Sequence, residues 1–197
     1  MNKKTLIIIG SIVLVIIILY RLFAGSYNKM VNTEQEVKSQ WANVENVYQR
    51  RADLIPNLVN TVKGYASHEK ETLTAVIEAR AKATSVNIDA NNLNANTFAQ
   101  FQQAQSGLTS ALSKLMVVME RYPDLKANQN FLELQAQLEG TENRIAVERR
   151  KFNETVKLYN KTILGFPNAI FANMYGFEEK DFFKAEEAAK TAPKVEF

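Results

Sequence analysis

A chain of 197 residues without a single Cys has no thiolate for a metal site, a disulfide, a redox pair or a nucleophile. Its 24 Lys and Arg exceed its 21 Asp and Glu by three, and Lys3, Lys4 and Arg21 account for that excess. Everything from Ser26 onward is therefore neutral overall, without four basic residues in a row, so the electrostatic basis for binding nucleic acid is missing.

The first element is apolar. Leu6 opens and Tyr20 closes an uncharged run dominated by Ile, Leu and Val, and Leu22, Phe23 and Ala24 extend it past Arg21. That reaches the roughly 17–20 residues a helix needs to cross the hydrocarbon core. Arg21 can snorkel to the headgroups, with Tyr20 and Phe23 as interfacial partners. A cleavable signal peptide begins in the same way, but no A-x-A-like site follows, Leu22 and Ala24 being the nearest approximation. The expectation is an uncleaved anchor over residues 1–25, its membrane-spanning part running from Leu6 to Phe23. Lys3 and Lys4 sit on a very short tail, whereas Arg21 and Lys29 on the other flank are soon joined by Glu34 and Glu36. The positive-inside rule then puts the N-terminus in the cytoplasm and the rest of the chain outside.

From Met30 the apolar residues fall into a seam of three- and four-residue steps: Val37, Trp41, Val44, Tyr48, then Ile55, Leu58, Val62 and Tyr65. Pro56 interrupts the backbone pattern but not the stripe, and Ile55 is a poor cap, so a kink is expected there rather than a break. Lys63-Gly64 reads as the stop. Ser67 is the expected cap of a second helix, with Glu69 and Glu71 in its first turn, running through Leu73, Val76 and Ile77 to about Ala83. The Asn-rich stretch 87–96 has little to bury and reads as a loop. A third helix from about Thr97 carries Phe98, Phe101, Leu108, Leu112, Leu115, Met119 and Tyr122, and stops before Pro123. Asn128 caps the fourth, whose stripe is Phe131, Leu134, Leu138, Ile145, Phe152, Val156, Tyr159 and Ile163, before Gly165 and Pro167 end it. The fold class is thus all-α: an N-terminal transmembrane helix, then an antiparallel bundle of four main helices over 26–165. Residues 166–197 form an aromatic-rich segment with Phe166, Phe171, Tyr175, Phe177, Phe182, Phe183 and Phe197. It is expected to fold back over one end of the bundle; the rival reading is a docking segment.

Chemistry is sparse. His68 is the only histidine; Thr72 stands where a zinc-protease helix needs its second His, and a di-iron bundle needs two Glu-x-x-His pairs. A Gly-x-Ser-x-Gly turn and a Gly-rich phosphate loop are both missing, so His68 reads as a solvated residue. No catalytic residue, metal or cofactor is expected.

The anomaly is charge on apolar stripes. The rhythm of the first helix lands on Arg51 between Tyr48 and Ile55, and that of the fourth on Glu148 or Arg149 between Ile145 and Phe152. Antiparallel packing that pairs 65 with 129 brings 51 to 143 and 45 to 149. Arg51 then meets Glu142 or Asn143, and Glu45 meets Arg149. A charge on a buried stripe must be paired. Glu45, Arg51, Glu142, Asn143, Glu148 and Arg149 form the candidate network, either an internal one that fixes helix register or a surface that another copy or protein completes.

Trp41-Ala42, "YQRRADLIPNLVNTVKGYASHE", "YPDLKANQNFLELQAQLEGTENRIAVERRKFNETVKLYN", "GFPNAIFANMYGFEEKDFF" and the terminal "PKVEF" together resemble the LemA family from about Tyr27 to Phe197. The resemblance implies a helical bundle on an N-terminal anchor in a bacterial envelope, hence the inner membrane. It implies no particular activity and carries over no catalytic residue. The one departure is the missing lipid-attachment Cys that some members have in place of an anchor. The expected function is a non-enzymatic, membrane-tethered interaction or scaffolding protein. Its expected partners are the lipid bilayer and unidentified proteins, a second copy included, and not nucleic acid. The alternative is a small-ligand sensor, which an apolar pocket between helices would favour.

Overall fold

The computed structural model describes residues 3–86, 88–90 and 93–184, and among them there is no strand. Six helices follow in order: α1 Lys3–Tyr65, α2 Lys70–Ser85, α3 Ala95–Met119, α4 Pro123–Lys126, α5 Gln129–Leu164 and α6 Asn168–Tyr175. The all-α class and the long helices are those expected. The chain forms two compact units, one of Met1–Lys38 with Glu154–Lys180 and one of Ser39–Asn153 with Asp181–Phe197.

Helix α1 does not begin near Met30 but runs unbroken for 63 residues from Lys3. Gly25 is the weakest helix former between the apolar segment and the stripe, and a Gly costs only about 1 kcal/mol against Ala. Every residue in the most apolar window of this segment is exposed, so α1 carries a candidate membrane span.

In the second unit, consecutive main helices alternate in direction. Arg80 on α2 reaches Ala52 on α1, Gln105 on α3 reaches Ala83 on α2, and Glu69 at the start of α2 meets Arg121 and Tyr122 just past α3. Tyr65 and Asn128 share a 2.8 Å hydrogen bond, so α1 and α5 also run antiparallel, within one residue of the expected register. Ile55, Leu58, Val62, Leu73, Val76, Leu108, Leu115, Phe131 and Leu138 build one core. Ile77, placed on the α2 stripe by sequence, is exposed, as is Tyr65, whose hydroxyl accepts from Asn128. The loop before α3 buries more than its composition suggests, because Ile88 and Leu93 turn inward.

Four boundaries differ from expectation. Ser67 does not cap α2; Glu69 holds the cap position and spends its carboxylate on Arg121 and Tyr122 instead of on the helix dipole. Asn94 and Thr97 form a reciprocal capping box that starts α3 at Ala95. Pro123 and Pro167 do more than end helices: Pro is also favoured at a helix start, where its missing N–H costs nothing, and α4 begins at Pro123 while Pro167 immediately precedes α6. Gly176, with φ of 74°, closes α6 in the left-handed conformation that favours glycine.

Pro56 lies inside α1 without breaking it. Having no N–H, it leaves the carbonyl of Ala52 four residues back without its helical donor. Arg80 Nε donates to that carbonyl at 2.7 Å, so the defect in α1 becomes the acceptor that ties α2 to it. In the wild type, Arg80→Ala should cost about 1.5–3 kcal/mol, the range for a charged hydrogen bond. In a Pro56→Ala background the helix supplies its own donor to Ala52, and the same change should cost at least about 1 kcal/mol less. A double-mutant cycle by chemical unfolding measures this coupling, and additive losses would show that the proline defect is not what Arg80 repairs.

In the first unit, Met30, Val37, Val156, Tyr159 and Ile163 are buried. Asn160 clasps Lys180, donating to its carbonyl at 2.9 Å and accepting from its N–H at 3.0 Å. Lys180 Nζ lies 3.3 Å from Glu34 and over the Tyr159 ring, and the Tyr159 hydroxyl donates to the carbonyl of Glu178. Burial, then the Glu34 and Glu178 carboxylates, push the Tyr159 phenol far above its ordinary value. The folded chain thus keeps a proton that the unfolded chain releases near pH 10. The stability tied to that proton is full below about pH 10 and is lost as pH rises beyond it. Tyr159→Phe should lose about 1 kcal/mol at neutral pH with its hydrogen bond, yet decline less steeply across about pH 9–11 in denaturant midpoints. An unchanged alkaline slope would exclude Tyr159 as its source.

Candidate functional site

Arg51 falls on α1 three residues after Tyr48 and seven after Val44, which places it in the second unit's interior on the same stripe. It is 2 % exposed. Its Nη1 donates to Glu142 Oε2 at 2.8 Å on α5 and to Thr109 Oγ1 at 3.1 Å on α3. Nη2 donates to Gln105 Oε1 at 2.6 Å, while the guanidinium carbon sits 5.2 Å from the centre of the Tyr48 ring. Gln105 is itself buried and passes the connection on by donating to the carbonyl of Ala83 at the end of α2. One guanidinium therefore engages three of the four main helices directly and the fourth through Gln105. Its Nε is buried without a partner, so the site is not fully satisfied. Glu142 is about half exposed, which leaves the counter-charge in water while the guanidinium is dry.

The other candidate residues separate from this centre. Asn143 is exposed and adds nothing to it. Glu45 does not meet Arg149: it lines a cavity of about 210 Å³ with Tyr48, Ala52, Ala83 and Gln105, on the side of α1 toward α2 and α3. Pairing 65 with 129 sets the height of position 45 along α5 but not the side of α1 that it occupies. Burial raises the Glu45 carboxyl, and the Trp41 N–H one turn back opposes this without closing a hydrogen bond. Glu148 accepts from Lys151 at 2.8 Å and Gln40 at 2.7 Å, and these bonds, Lys151 first, hold its carboxyl below the ordinary range. Arg149 donates to the carbonyl of Lys184 at 3.1 Å and lies 4.9 Å from the centre of the Phe183 ring. Burial raises the Tyr48 phenol, with Arg149 and Arg51 opposing.

Gln105 and Thr109 were not anticipated. Gln105 lies between Phe101 and Leu108 in four- and three-residue steps, where the α3 stripe calls for an apolar side chain. That was the same signal that marked Arg51. The aromatic segment is divided between the two units. In the second unit Phe183 is buried beside Trp41, Phe98 and Phe152, its backbone clasped at both N–H and carbonyl by Asn153. In the first unit Phe171 and Tyr175 pack on Phe23, and Tyr175 and Phe177 on Tyr27. Phe166 and Phe182 are exposed, and Phe197 lies outside the described residues.

Beside the Arg51 centre runs a groove of about 360 Å³ lined by Arg51, Thr109, Leu112, Met116, Leu138 and Glu142. The exposed His68 is not part of it. Chemically, the arrangement can hold helix register and offer a half-solvated ion pair at the edge of an apolar groove.

An up-and-down helical bundle cross-linked by a buried guanidinium, with a candidate membrane span on its first helix, defines the class. The chain belongs to the LemA family, whose model matches residues 40–197. It is 23% identical to protein LemA of Metamycoplasma hominis over 175 residues, 89% of this chain and 76% of that protein. It is 24% identical to magnetosome protein MamQ of Magnetospirillum gryphiswaldense over 184 residues, 84% of this chain and 67% of that protein. Against magnetosome protein MamQ 2 of Paramagnetospirillum magneticum it is 26% identical over 183 residues.

Proposed function

We propose that the protein is a non-enzymatic scaffolding or interaction protein, tethered by one uncleaved transmembrane helix in the inner membrane of a bacterial envelope. Its N-terminus is cytoplasmic and its bundle extracytoplasmic. The observation that carries this reading is the continuity of α1: the apolar segment and the stripe that holds Arg51 are one helix with no linker between them. The Arg51 centre supports it too, because both Nη atoms are committed to the bundle's own side chains. Membrane fractions of cells expressing the full chain provide the test. Intact mass should include residues 6–23, and a Cys placed at exposed Ser67 should react with an impermeant reagent on spheroplasts. Crosslinking in those membranes should give discrete adducts. A mature chain starting near Gly25 would remove the tether, labelling only after lysis would reverse the orientation, and a chain that crosslinks to nothing would remove the scaffold.

The groove beside Arg51 favours a second reading, a sensor for a small amphiphilic anion, since its volume lies within the usual range for small-molecule sites. A thermal shift with a short-chain carboxylate, lost in Arg51→Met, would select it over the scaffold.

A further inference from the structure

Between Leu164 and Phe177 the chain carries no charged residue, although Lys161 precedes and Glu178 follows. Helix α6 occupies the middle of this stretch. Asn168 and Ala172 form its buried face, Asn168 donating to the carbonyl of Thr162 at 2.8 Å. Phe171 sets its ring edge-on to Phe23 at 5.1 Å, and Tyr175 contacts both Phe23 at 5.6 Å and Tyr27 at 5.1 Å. Phe23 is the last aromatic of the apolar segment of α1, so α6 packs at the level where that segment gives way to polar sequence. Opposite the buried face, Ile170 and Met174 stand one turn apart, 62% and 64% exposed, and just before the helix Phe166 is 87% and Leu164 60% exposed. Water does not reward such a stripe on an uncharged helix, and a bilayer surface does.

We propose that α6 is an interfacial membrane element that seats Phe166, Ile170 and Met174 in the boundary between headgroups and acyl chains beside the transmembrane segment. This rests on the anchor reading, which puts Phe23 at the membrane–water interface, the depth where aromatic side chains gather. Phe171 and Tyr175 fix α6 to α1 from within, and the stripe faces outward. The occupant of that stripe is lipid. Because the segment has no Lys or Arg, its insertion draws on apolar burial and not on attraction to anionic headgroups. It therefore needs no anionic lipid and persists at high salt.

The native chain has no Cys, so single-Cys variants of the full chain carry one label each. Ile12→Cys, Ile170→Cys, Met174→Cys and Ser67→Cys, all at exposed positions, are labelled with an environment-sensitive fluorophore. They are then reconstituted in phosphatidylcholine vesicles containing nitroxide lipids of shallow or deep label depth. Labels at 170 and 174 should emit at short wavelength and lose about half or more of their emission to the shallow nitroxide. The label at 12 should respond most to the deep nitroxide, and that at 67 to neither. Adding anionic lipid or raising salt should leave the 170 and 174 signals unchanged. If 170 and 174 behave like 67 while 12 is quenched, α6 is not membrane-seated and the anchor stands. If 12 also escapes quenching, the anchor reading fails and takes this one with it. Short-wavelength emission at 170 and 174 without lipid quenching would mean that protein covers the stripe, which also overturns the proposal.

Discussion

Replacing Arg51 with alanine should lower the unfolding free energy of the full chain in detergent by about 3 kcal/mol, whereas Arg149→Ala should cost under about 1 kcal/mol. Both are arginines that the helical rhythm places on or beside an apolar stripe. The difference lies in what each would leave behind. Without Arg51, the buried Gln105 carbonyl oxygen loses its charged donor, the Tyr48 ring loses its cation, and the space beneath Glu142 is empty. Breaking a buried pair typically costs about 3–5 kcal/mol, and the low end applies because Glu142 is half in water. Arg149 gives up one backbone acceptor and a contact with the Phe183 ring at a partly exposed position. Glu142→Gln, which keeps a hydrogen-bond acceptor for Nη1, should fall between the two. Equal losses for Arg51→Ala and Arg149→Ala would mean that the centre does not hold the four helices together.

Arg51 shows what the sequence made legible. Its position on the stripe, the antiparallel neighbour and the acid at 142 followed from periodicity and one assumed pairing, because helix spacing is regular enough to carry a register over about 14 residues on each helix. The side of the helix did not follow. Glu45 sits one residue from Val44 and faces a different pair of helices, and the direction in which a bundle winds is not written in a linear pattern. Gln105 and Thr109 were missed for another reason. Gln105, an uncharged polar residue on a stripe, draws less notice than an arginine although burial constrains it in the same way, and Thr109 lies beside the stripe at an exposed position. The junction of α1 was missed because an apolar run and an amphipathic stripe look like separate objects, while the backbone needs only the absence of a breaker to join them. Helix α6 was hidden by Pro167 and Gly165, which mark the end of α5 and the start of the next helix at once.

The aromatic cluster around Trp41 should be the costliest place to cut. Trp41 is 1% exposed and is the only tryptophan in the chain. Its ring meets Phe98, Phe101 and Phe152 edge-on, and stacks with Phe183 at 5.9 Å and 20°. Removing a buried Phe or Trp side chain costs about 3–5 kcal/mol, so Trp41→Ala belongs at the upper end and Phe183→Ala at the lower. Phe183→Ala has a second consequence. The ring and the two Asn153 hydrogen bonds together dock residues 181–184 in this unit, and Asn153 alone holds only backbone groups. Losing the ring opens one face of Trp41 to water. The wild-type emission should be blue and poorly quenched by acrylamide, and Phe183→Ala should shift it to the red and raise the quenching. Phe182→Ala is the comparison, since Phe182 is 41% exposed and should change stability by no more than about 0.5 kcal/mol with the Trp41 spectrum unmoved. A Phe183→Ala spectrum identical to wild type would show that Phe183 does not shield Trp41 in solution. The second unit's core would then have to be complete without residues 181–184.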